Sequence, residues 1–471
     1  MILRKTFILL VATFCFFPKL AFAQNKDKNA NDDFHNYHQL YPLFDKLYNL
    51  EHNRSGKVNI VHIGDSHIQA DMLTNSIRQV LQSRFGNGGY GFCFPYSLAK
   101  TNGTGYIKFT SNIEWNSRRN IYPVTDISVG LSGIGLYTNE KEFDLELEVD
   151  PLYAFNRIKV LSTLPEANFT VSFSEEKVVS PPVDKENLHK SEVKRHTVQS
   201  GETLYRIAIN NNISVDQLKE LNHLESNTIK KGMVLVISES IEKEIPKDIP
   251  SSFHEDSIRT NKAHLRSGKY YVETIDSTSN TVAYIMPRKQ QQDYHLSGII
   301  IENNNPGIIY HTIGVNGAKV SDYNKYPLFF KQLPILHPDL VIVSLGTNES
   351  FGKWATPYYT DQLNLLIQNI RHENPSTIIL VTTPPPSLFR RRTPNKFIAG
   401  YRDAVVQSKE YVVWDLLSKL GGITAPLGKK LSEMMARDKV HYTKEGYETQ
   451  GLLFTSDFLK AYEQYIKNRE K

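Results

Sequence analysis

A serine near the start of the chain stands in a setting suited to nucleophilic chemistry. Ser66 lies in Gly64-Asp65-Ser66-His67, directly after the β-branched run 58–63. A serine hydroxyl attacks a carbonyl only when a base removes its proton and donors stabilise the oxyanion. No G-x-S-x-G elbow surrounds Ser66, so the most familiar serine-hydrolase signal is absent and support for catalysis must come from the rest of the chain. The alternative interpretation is that Ser66 only caps a following helix.

Residues that could serve this serine lie in three later segments. Asp438 and His441 form an Asp-x-x-His motif before the last predicted helix, and this spacing lets the carboxylate orient the imidazole as a base. Asn348 follows a buried strand, and its amide could donate to an oxyanion, as could the backbone N–H of Gly317 after another strand. Each motif alone fits a turn or a cap. Their order favours catalysis, because active sites of open parallel sheets form beyond the carboxyl ends of strands.

This ordered set resembles the SGNH (GDSL) hydrolase superfamily. Its serine, glycine, asparagine and histidine blocks correspond, in that order, to Gly64-Asp65-Ser66, Gly317, Gly346-x-Asn348 and Asp438-x-x-His441. The resemblance implies a Ser–His–Asp hydrolase that needs neither cofactor nor metal, with an oxyanion bound by Ser66, Gly317 and Asn348. Ser66 is then expected to be both the cap of a helix and the nucleophile.

One residue of the serine block departs from the common pattern. His67 stands where many members of the superfamily have leucine. Gly-Asp-Ser-His does occur in branches similar to peptidoglycan or polysaccharide O-acetylesterases, and the segments 85–95, 413–422 and 438–447 also fit such a branch. The sequence leaves open whether His67 contacts substrate or only the wall of its loop.

The segment 194–237 resembles a LysM module over its whole length. The matching pieces are His196-Thr197-Val198, the Ser-Gly-Glu-Thr-Leu run 200–204, the helix 215–222, Lys231-Gly232 and the strand 234–237. The resemblance implies binding of N-acetylglucosamine-containing chains in a groove lined by Gly201, Glu202, Thr203 and Leu204, and by Ser226, Asn227, Thr228 and Ile229. An unrelated small αβ linker domain is the alternative.

Strand and helix patterns alternate at both ends of the chain, with short period-two strands between them. The apolar runs 340–346 and 377–385 are typical of parallel strands buried on both faces. The resemblance implies an α/β fold, the three-layer parallel sheet (flavodoxin-like) of SGNH hydrolases, with an inserted β-sandwich-like module and an inserted LysM (βααβ) module. The predicted divisions are a signal peptide (1–23), the hydrolase domain (24–103 and 304–471), the β-rich insertion (104–192, and 239–303 with its linker) and LysM (193–238).

The first 23 residues are typical of a secretory signal peptide, with a basic start, an apolar stretch and a small-x-small site at Ala21-Phe22-Ala23. Its removal lowers the formal charge from +5 to about +2, which does not indicate a nucleic-acid partner. Cys93 is then the one remaining cysteine, with no base beside it, and is expected to be structural. No later apolar stretch is long enough to span a membrane, so the mature chain is expected to be exported to the periplasm or cell envelope.

Three further features have two interpretations each. His62 and His67 are spaced poorly for a metal, and His62 is expected to pack within its strand. The run 390–392, Arg-Arg-Arg, with Lys396 would suit an anionic glycan, although a solvated loop is the simpler account. The β-rich insertion could bind carbohydrate or only wall the catalytic cleft.

These patterns together predict an exported serine esterase that removes O-acetyl groups from peptidoglycan through an acetyl-enzyme on Ser66, with LysM as a wall anchor. Two alternatives remain open at this point. One is a deacetylase of another acetylated polysaccharide. The other is a cell-wall-binding protein with an inactive hydrolase fold, which the intact Ser66, Asn348, Asp438 and His441 argue against.

Overall fold

The computed structural model describes residues 33–166, 168–173, 195–199, 202–211, 213, 215–224, 226–237, 264–288 and 293–469. The predicted signal peptide lies outside the described residues, as do the charged segments 175–192 and 238–252 on either side of LysM, which the sequence predicts to be linkers.

The α/β domain is built on a sheet of six described strands. In spatial order these are Phe34–His35, Val412–Trp414, Ile378–Thr382, Leu340–Ser344, Lys57–Gly64 and Gly307–Gly314. The edge strand Phe34–His35 is antiparallel to its neighbour, and the other pairs are parallel. Numbered along the chain, the parallel strands lie in the order 2-1-3-4-5, which is the flavodoxin-like order. The predicted three-layer fold is therefore confirmed.

Helices cover both faces of this sheet. One face packs against Tyr41–Asn53, Met72–Phe85 and Lys444–Arg469, and the other against Pro327–Gln332, Thr356–Glu373 and Phe397–Gln407. Successive strand residues alternate between the two cores: Ile60 and Ile342 lie in the first, and Val61 and Val343 in the second. Burial on both sides explains why these strands are continuous apolar runs.

Short helical segments connect the main elements. The α-helical ones are Ser66–Gln69, Val320–Asn324, Thr347–Phe351, Leu416–Lys419 and Lys429–Glu433, and the 3-10 turns are Tyr37–Leu40, Pro151–Tyr153, Leu333–Leu336 and Ala425–Leu427. Two of them, Ser66–Gln69 and Thr347–Phe351, directly follow parallel strands and carry predicted site residues.

The inserted region is a β-sandwich-like module, as predicted. Its larger sheet contains Gly91–Cys93, Asn116–Arg119, Ile134–Thr138, Phe155–Ser162, His264–Gly268, Tyr271–Asn280 and Tyr294–Glu302. The smaller sheet contains Ile107–Ser111, Leu145–Val149, Phe169–Phe173 and Val282–Pro287. Gly91–Cys93 pairs with residues 299–301, so this sheet recruits a strand that precedes the predicted boundary at 104.

The insertion packs directly on the α/β domain. Phe92 donates its backbone N–H to His311 Nδ1 at 3.0 Å, and Gln332 donates to the carbonyl of Ser162 at 2.7 Å. Apolar residues of both parts, such as Ile299 and Ile313, belong to one buried cluster. The insertion and the α/β domain therefore share one buried core.

The LysM segment has its own small core. Strands Arg195–Thr197 and Val234–Val236 pair antiparallel, with helices Leu204–Asn210 and Val215–Leu221 between them. Its core is formed by Val198, Leu204, Ile207, Ala208, Leu218 and Leu235. The predicted βααβ order is confirmed.

Candidate active site

The serine turn follows the end of the Lys57–Gly64 strand. Asp65 caps the Ser66–Gln69 helix, because its carboxylate accepts the N–H of His67 at 3.0 Å. A Cβ on Gly64 would lie 2.3 Å from Ile68 Cγ1, so glycine is needed for the helix to turn back over the strand. The prediction that Ser66 caps the helix was wrong, since the Asp65 carboxylate satisfies the N–H that a capping hydroxyl would take. Ser66 is the first helical residue, and its side chain takes no part in capping the helix.

Ser66, His441 and Asp438 form a continuous hydrogen-bonded chain. Ser66 Oγ lies 2.9 Å from His441 Nε2, and His441 Nδ1 lies 2.7 Å from Asp438 Oδ2. The other carboxylate oxygen, Oδ1, accepts the backbone N–H groups of Val440 at 2.9 Å and His441 at 3.0 Å. This turn fixes the carboxylate against the imidazole, an arrangement suited to general-base activation of a serine.

The electrostatics of the pair favour a charged imidazole. Burial opposes ionisation of Asp438, but the hydrogen bond from His441 and the two backbone N–H groups hold its pKa well below the usual range. Burial also opposes protonation of His441, and the hydrogen bond and charge of Asp438 outweigh this and raise the pKa of the imidazole. A proton taken from Ser66 is therefore stabilised on His441.

Asn348 and Gly317 lie on the other side of the serine turn. Asn348 donates its side-chain amide to Asp65 Oδ2 at 3.1 Å and to the carbonyl of Ala318 at 3.0 Å. Gly317 has φ +83°, in the left-handed region that glycine adopts without strain. The amide of Asn348 thus ties the serine turn to the glycine turn, and the structure brings all five predicted catalytic residues to the carboxyl ends of neighbouring strands.

Asp65 is a residue whose importance the sequence patterns did not indicate. It is 1% exposed, and burial raises its pKa to about 6, against hydrogen bonds from the His67 backbone and Asn348. It joins the capped helix to the Asn348 amide. Its place directly before the serine was the only signal available in the sequence.

Gln69 is a second residue whose role the sequence patterns did not indicate, and its hydrogen bonds hold the glycine turn in place. Gln69 is 1% exposed and accepts the N–H of Asn316 at 2.6 Å. The Gln69 amide donates to Thr101 Oγ1 at 2.9 Å and to the carbonyl of Asn102 at 2.7 Å. The serine helix, the glycine turn and the 101–102 loop are thereby locked together.

His67 lies behind the catalytic histidine. It is buried, its Nδ1 is 2.9 Å from the hydroxyl of Tyr447, and its ring centroid is 5.3 Å from that of His441. Burial, with the nearby His441, lowers the pKa of His67 to about 3, so it is neutral. His67 therefore belongs to the wall of its loop, which settles the question that the sequence left open.

Two other singled-out residues are packed side chains. His62 pairs with the hydroxyls of Tyr310 at 2.8 Å and Ser344 at 2.6 Å, as expected for a strand residue in the core. Cys93 is buried, and burial raises the pKa of its thiol. Among the residues placed by the structure, no cluster of three or more His, Cys, Asp or Glu side chains could hold a metal ion. Across those same residues, no helix is long and apolar enough to cross a membrane.

The predicted LysM groove residues have different environments. Glu202 accepts from the backbone of Gln199 and pairs with His196 at 2.8 Å, while Thr203 accepts the N–H of Arg206 at 3.2 Å and caps the first helix. The side chain of Leu204 lies in the core, so only its backbone is available to a ligand. Ser226, Asn227 and Thr228 are exposed, Ile229 is half-buried, and Gly201 lies outside the described residues.

Two family models match parts of this chain. The model of the GDSL-like lipase/acylhydrolase family matches residues 276–449, which include Gly317, Asn348, Asp438 and His441 but not Ser66. The LysM domain model matches residues 196–238. No curated protein sequence matches the chain.

Several solved structures resemble this chain to different extents. A structure described as a peptidoglycan O-acetylesterase is 18% identical and has a TM-score of 0.61, with 93% of this chain and 98% of that one covered. A lipase/acylhydrolase from Enterococcus faecalis (21% identity, TM-score 0.26) covers 33% of this chain and 76% of its own. A carbohydrate esterase family 3 protein from Talaromyces cellulolyticus (16% identity, TM-score 0.26) covers 33% and 72%. The chain thus carries a GDSL-like lipase/acylhydrolase domain and a LysM domain, and is a serine esterase of the SGNH/GDSL type.

Proposed function

We propose that this protein is an exported esterase that removes O-acetyl groups from peptidoglycan. The observation that carries the proposal is the hydrogen-bonded chain from Ser66 through His441 to Asp438, with the Asn348 amide anchored beside the serine turn. These groups supply a nucleophile and a base without a cofactor, and the Asn348 amide can donate to an oxyanion by exchanging one of its two present acceptors for the substrate oxygen.

In the proposed reaction, Ser66 Oγ attacks the acetyl carbonyl while His441 Nε2 takes the serine proton. The negative charge on the carbonyl oxygen is stabilised by the backbone N–H groups of Ser66 and Gly317 and by the amide of Asn348. His441 then gives its proton to the departing sugar hydroxyl, which leaves an acetyl-enzyme on Ser66. Water, deprotonated by His441, releases acetate and restores the serine.

Peptidoglycan is favoured as substrate by two features. The LysM module provides a candidate site for N-acetylglucosamine-containing chains, and the fold extends over nearly the whole of a peptidoglycan O-acetylesterase structure. The signal-peptide pattern in residues 1–23 supports export to the periplasm or cell envelope, where this substrate lies. A deacetylase of another polysaccharide remains the competing candidate.

The deciding experiment compares acetate release from O-acetylated peptidoglycan and from acetylated xylan. We expect faster release from peptidoglycan, and we expect Ser66→Ala to lower kcat about 10³-fold or more on either substrate while the protein stays folded. Preference for xylan would favour the competing candidate. A folded Ser66→Ala protein with wild-type rates would overturn the assignment of the nucleophile.

A further inference from the structure

A short hairpin beside the active site carries three consecutive arginines. Strand Leu388–Phe389 pairs with Thr393–Pro394, and Arg390, Arg391 and Arg392 form the turn between them. We call residues 388–394 the arginine hairpin. Arg390 and Arg391 have φ 48° and 61°, a left-handed conformation that asparagine and glycine adopt more easily. The sequence thus places cationic side chains where the turn itself favours smaller residues.

The guanidinium groups of this turn have no partners among the described residues. Arg390, Arg391 and Arg392 are all exposed, and none of their guanidinium groups forms a salt bridge or hydrogen bond with another described residue. Two other arginines of the same domain are paired: Arg371 contacts Glu410, and Arg402 contacts Asp415. The arginine hairpin therefore presents three unpaired cations to solvent.

The hairpin is fixed to two catalytic elements. The backbone N–H of Leu388 donates at 2.9 Å to the carbonyl of Lys439, which lies between Asp438 and His441. On the other side, the buried Asn395 donates its amide at 2.7 Å to Ser350 Oγ, on the helix that carries Asn348. A group bound by the arginines would therefore be held at a set position relative to the triad.

An aromatic pair lies between the hairpin and the Asn348 helix. The rings of Phe351 and Phe389 are 4.8 Å apart, and both side chains are half-buried. Together with the arginines they form a partly apolar surface with a cationic edge. Aromatic faces suit the apolar faces of sugar rings, and guanidinium groups match carboxylates through paired N–H donors.

We propose that the arginine hairpin binds carboxylates carried by the acetylated glycan while its ester lies at Ser66. The hairpin thereby selects anionic substrates over neutral ones. In peptidoglycan these carboxylates are on the stem peptides, or on the lactyl group of muramic acid where no stem is attached. In other polysaccharides they are on uronic acids. This inference rests on the proposed esterase function and specifies the substrate class of the same site.

The test removes the charge and follows the Michaelis constant. The variant is Arg390→Gln, Arg391→Gln, Arg392→Gln, and its charge-matched control, on exposed residues of other elements, is Lys141→Gln, Lys331→Gln, Lys467→Gln. Acetate release is measured on soluble O-acetylated peptidoglycan fragments with stem peptides, on an acetylated uronate polymer, on neutral O-acetylated chito-oligosaccharides, and on 4-nitrophenyl acetate.

We expect KM to rise about 10-fold for the carboxylate-bearing substrate alone, since three exposed ion pairs are each worth only a modest factor. The salt dependence of KM should weaken in the same variant. The lysine control variant should have the KM of the wild type on every substrate. The arginine variant should turn over 4-nitrophenyl acetate at the wild-type rate. Replacing all three arginines by lysine should lower KM most of the way back to the wild-type value. A merely structural role of the turn would not predict this recovery.

Unchanged KM on every carboxylate-bearing substrate would overturn the inference, as would an equal rise on neutral O-acetylated chito-oligosaccharides. A loss confined to the uronate polymer would assign the hairpin to that source of carboxylate. The wild type could release no acetate from peptidoglycan yet turn over the uronate polymer and 4-nitrophenyl acetate. That result would refute peptidoglycan as the substrate, and the KM values on the uronate polymer would still test the hairpin.

Discussion

The two oxygens of Asp438 have different partners, and this makes the substitution Asp438→Asn informative. Oδ1 accepts two backbone N–H groups, from Val440 and His441, whereas Oδ2 faces His441 Nδ1. In the variant, the side-chain oxygen must stay at the Oδ1 position, because an amide NH₂ there would face two donors. The NH₂ group then points at Nδ1, which must accept. Neutral His441 therefore carries its proton on Nε2, facing Ser66, and cannot take the serine proton.

The expected loss is large for so small a change. A tautomer forced the wrong way in a Ser–His–Asp triad lowers kcat about 10⁴-fold, equivalent to roughly 5.5 kcal/mol of transition-state stabilisation. Asp438→Ala removes the carboxylate without imposing the wrong tautomer, since water can accept from Nδ1. We therefore expect Asp438→Asn to be at least as damaging as Asp438→Ala, although asparagine is the closer match in shape.

The assay is kcat and kcat/KM on 4-nitrophenyl acetate from about pH 5 to about pH 9. His441 acts as a base, so kcat/KM of the wild type should rise with pH, through a pKa above the ordinary value of 6.5 because Asp438 raises it. In Asp438→Ala that limb should move to lower pH, because the charge that stabilised the imidazolium is gone. Asp438→Asn activity within about 10-fold of wild type would refute the tautomer argument.

Three further outcomes are expected. Asn348→Ala should lower kcat roughly 10²–10³-fold with little change in KM, because one oxyanion donor is worth about 3–4 kcal/mol; a rise in KM at constant kcat would make Asn348 a substrate contact. Arg78→Met should lower the free energy of unfolding by about 3–5 kcal/mol in urea titration, because the buried carboxylate of Asp71 then loses its charged partner. The guanidinium of Arg78 lies 2.9 Å from that carboxylate, and a loss below about 1 kcal/mol would contradict this reasoning. Deletion of residues 194–237 should reduce pull-down on sacculi while leaving 4-nitrophenyl acetate turnover unchanged, and equal pull-down would rule out anchoring.

The sequence alone was sufficient for features that depend on local pattern. Apolar runs and helical spacing located the parallel strands and the helices around them, and the LysM segment could be outlined from its own residues. The types and order of Ser66, Asn348 and His441 were enough to predict the chemistry, because the carboxyl ends of parallel strands gather at one edge of a sheet.

Tertiary structure alone decided how these residues meet. Ser66 and His441 are 375 positions apart, and no local periodicity specifies a 2.9 Å contact across that separation. The cap formed by Asp65, the link from its carboxylate to Asn348 and the burial of His67 against Tyr447 likewise depend on long-range packing. The arginine turn is the clearest case. Its charges are visible in the sequence, but its position beside the catalytic loop depends on long-range contacts to Lys439 and Ser350, which only the folded chain can form.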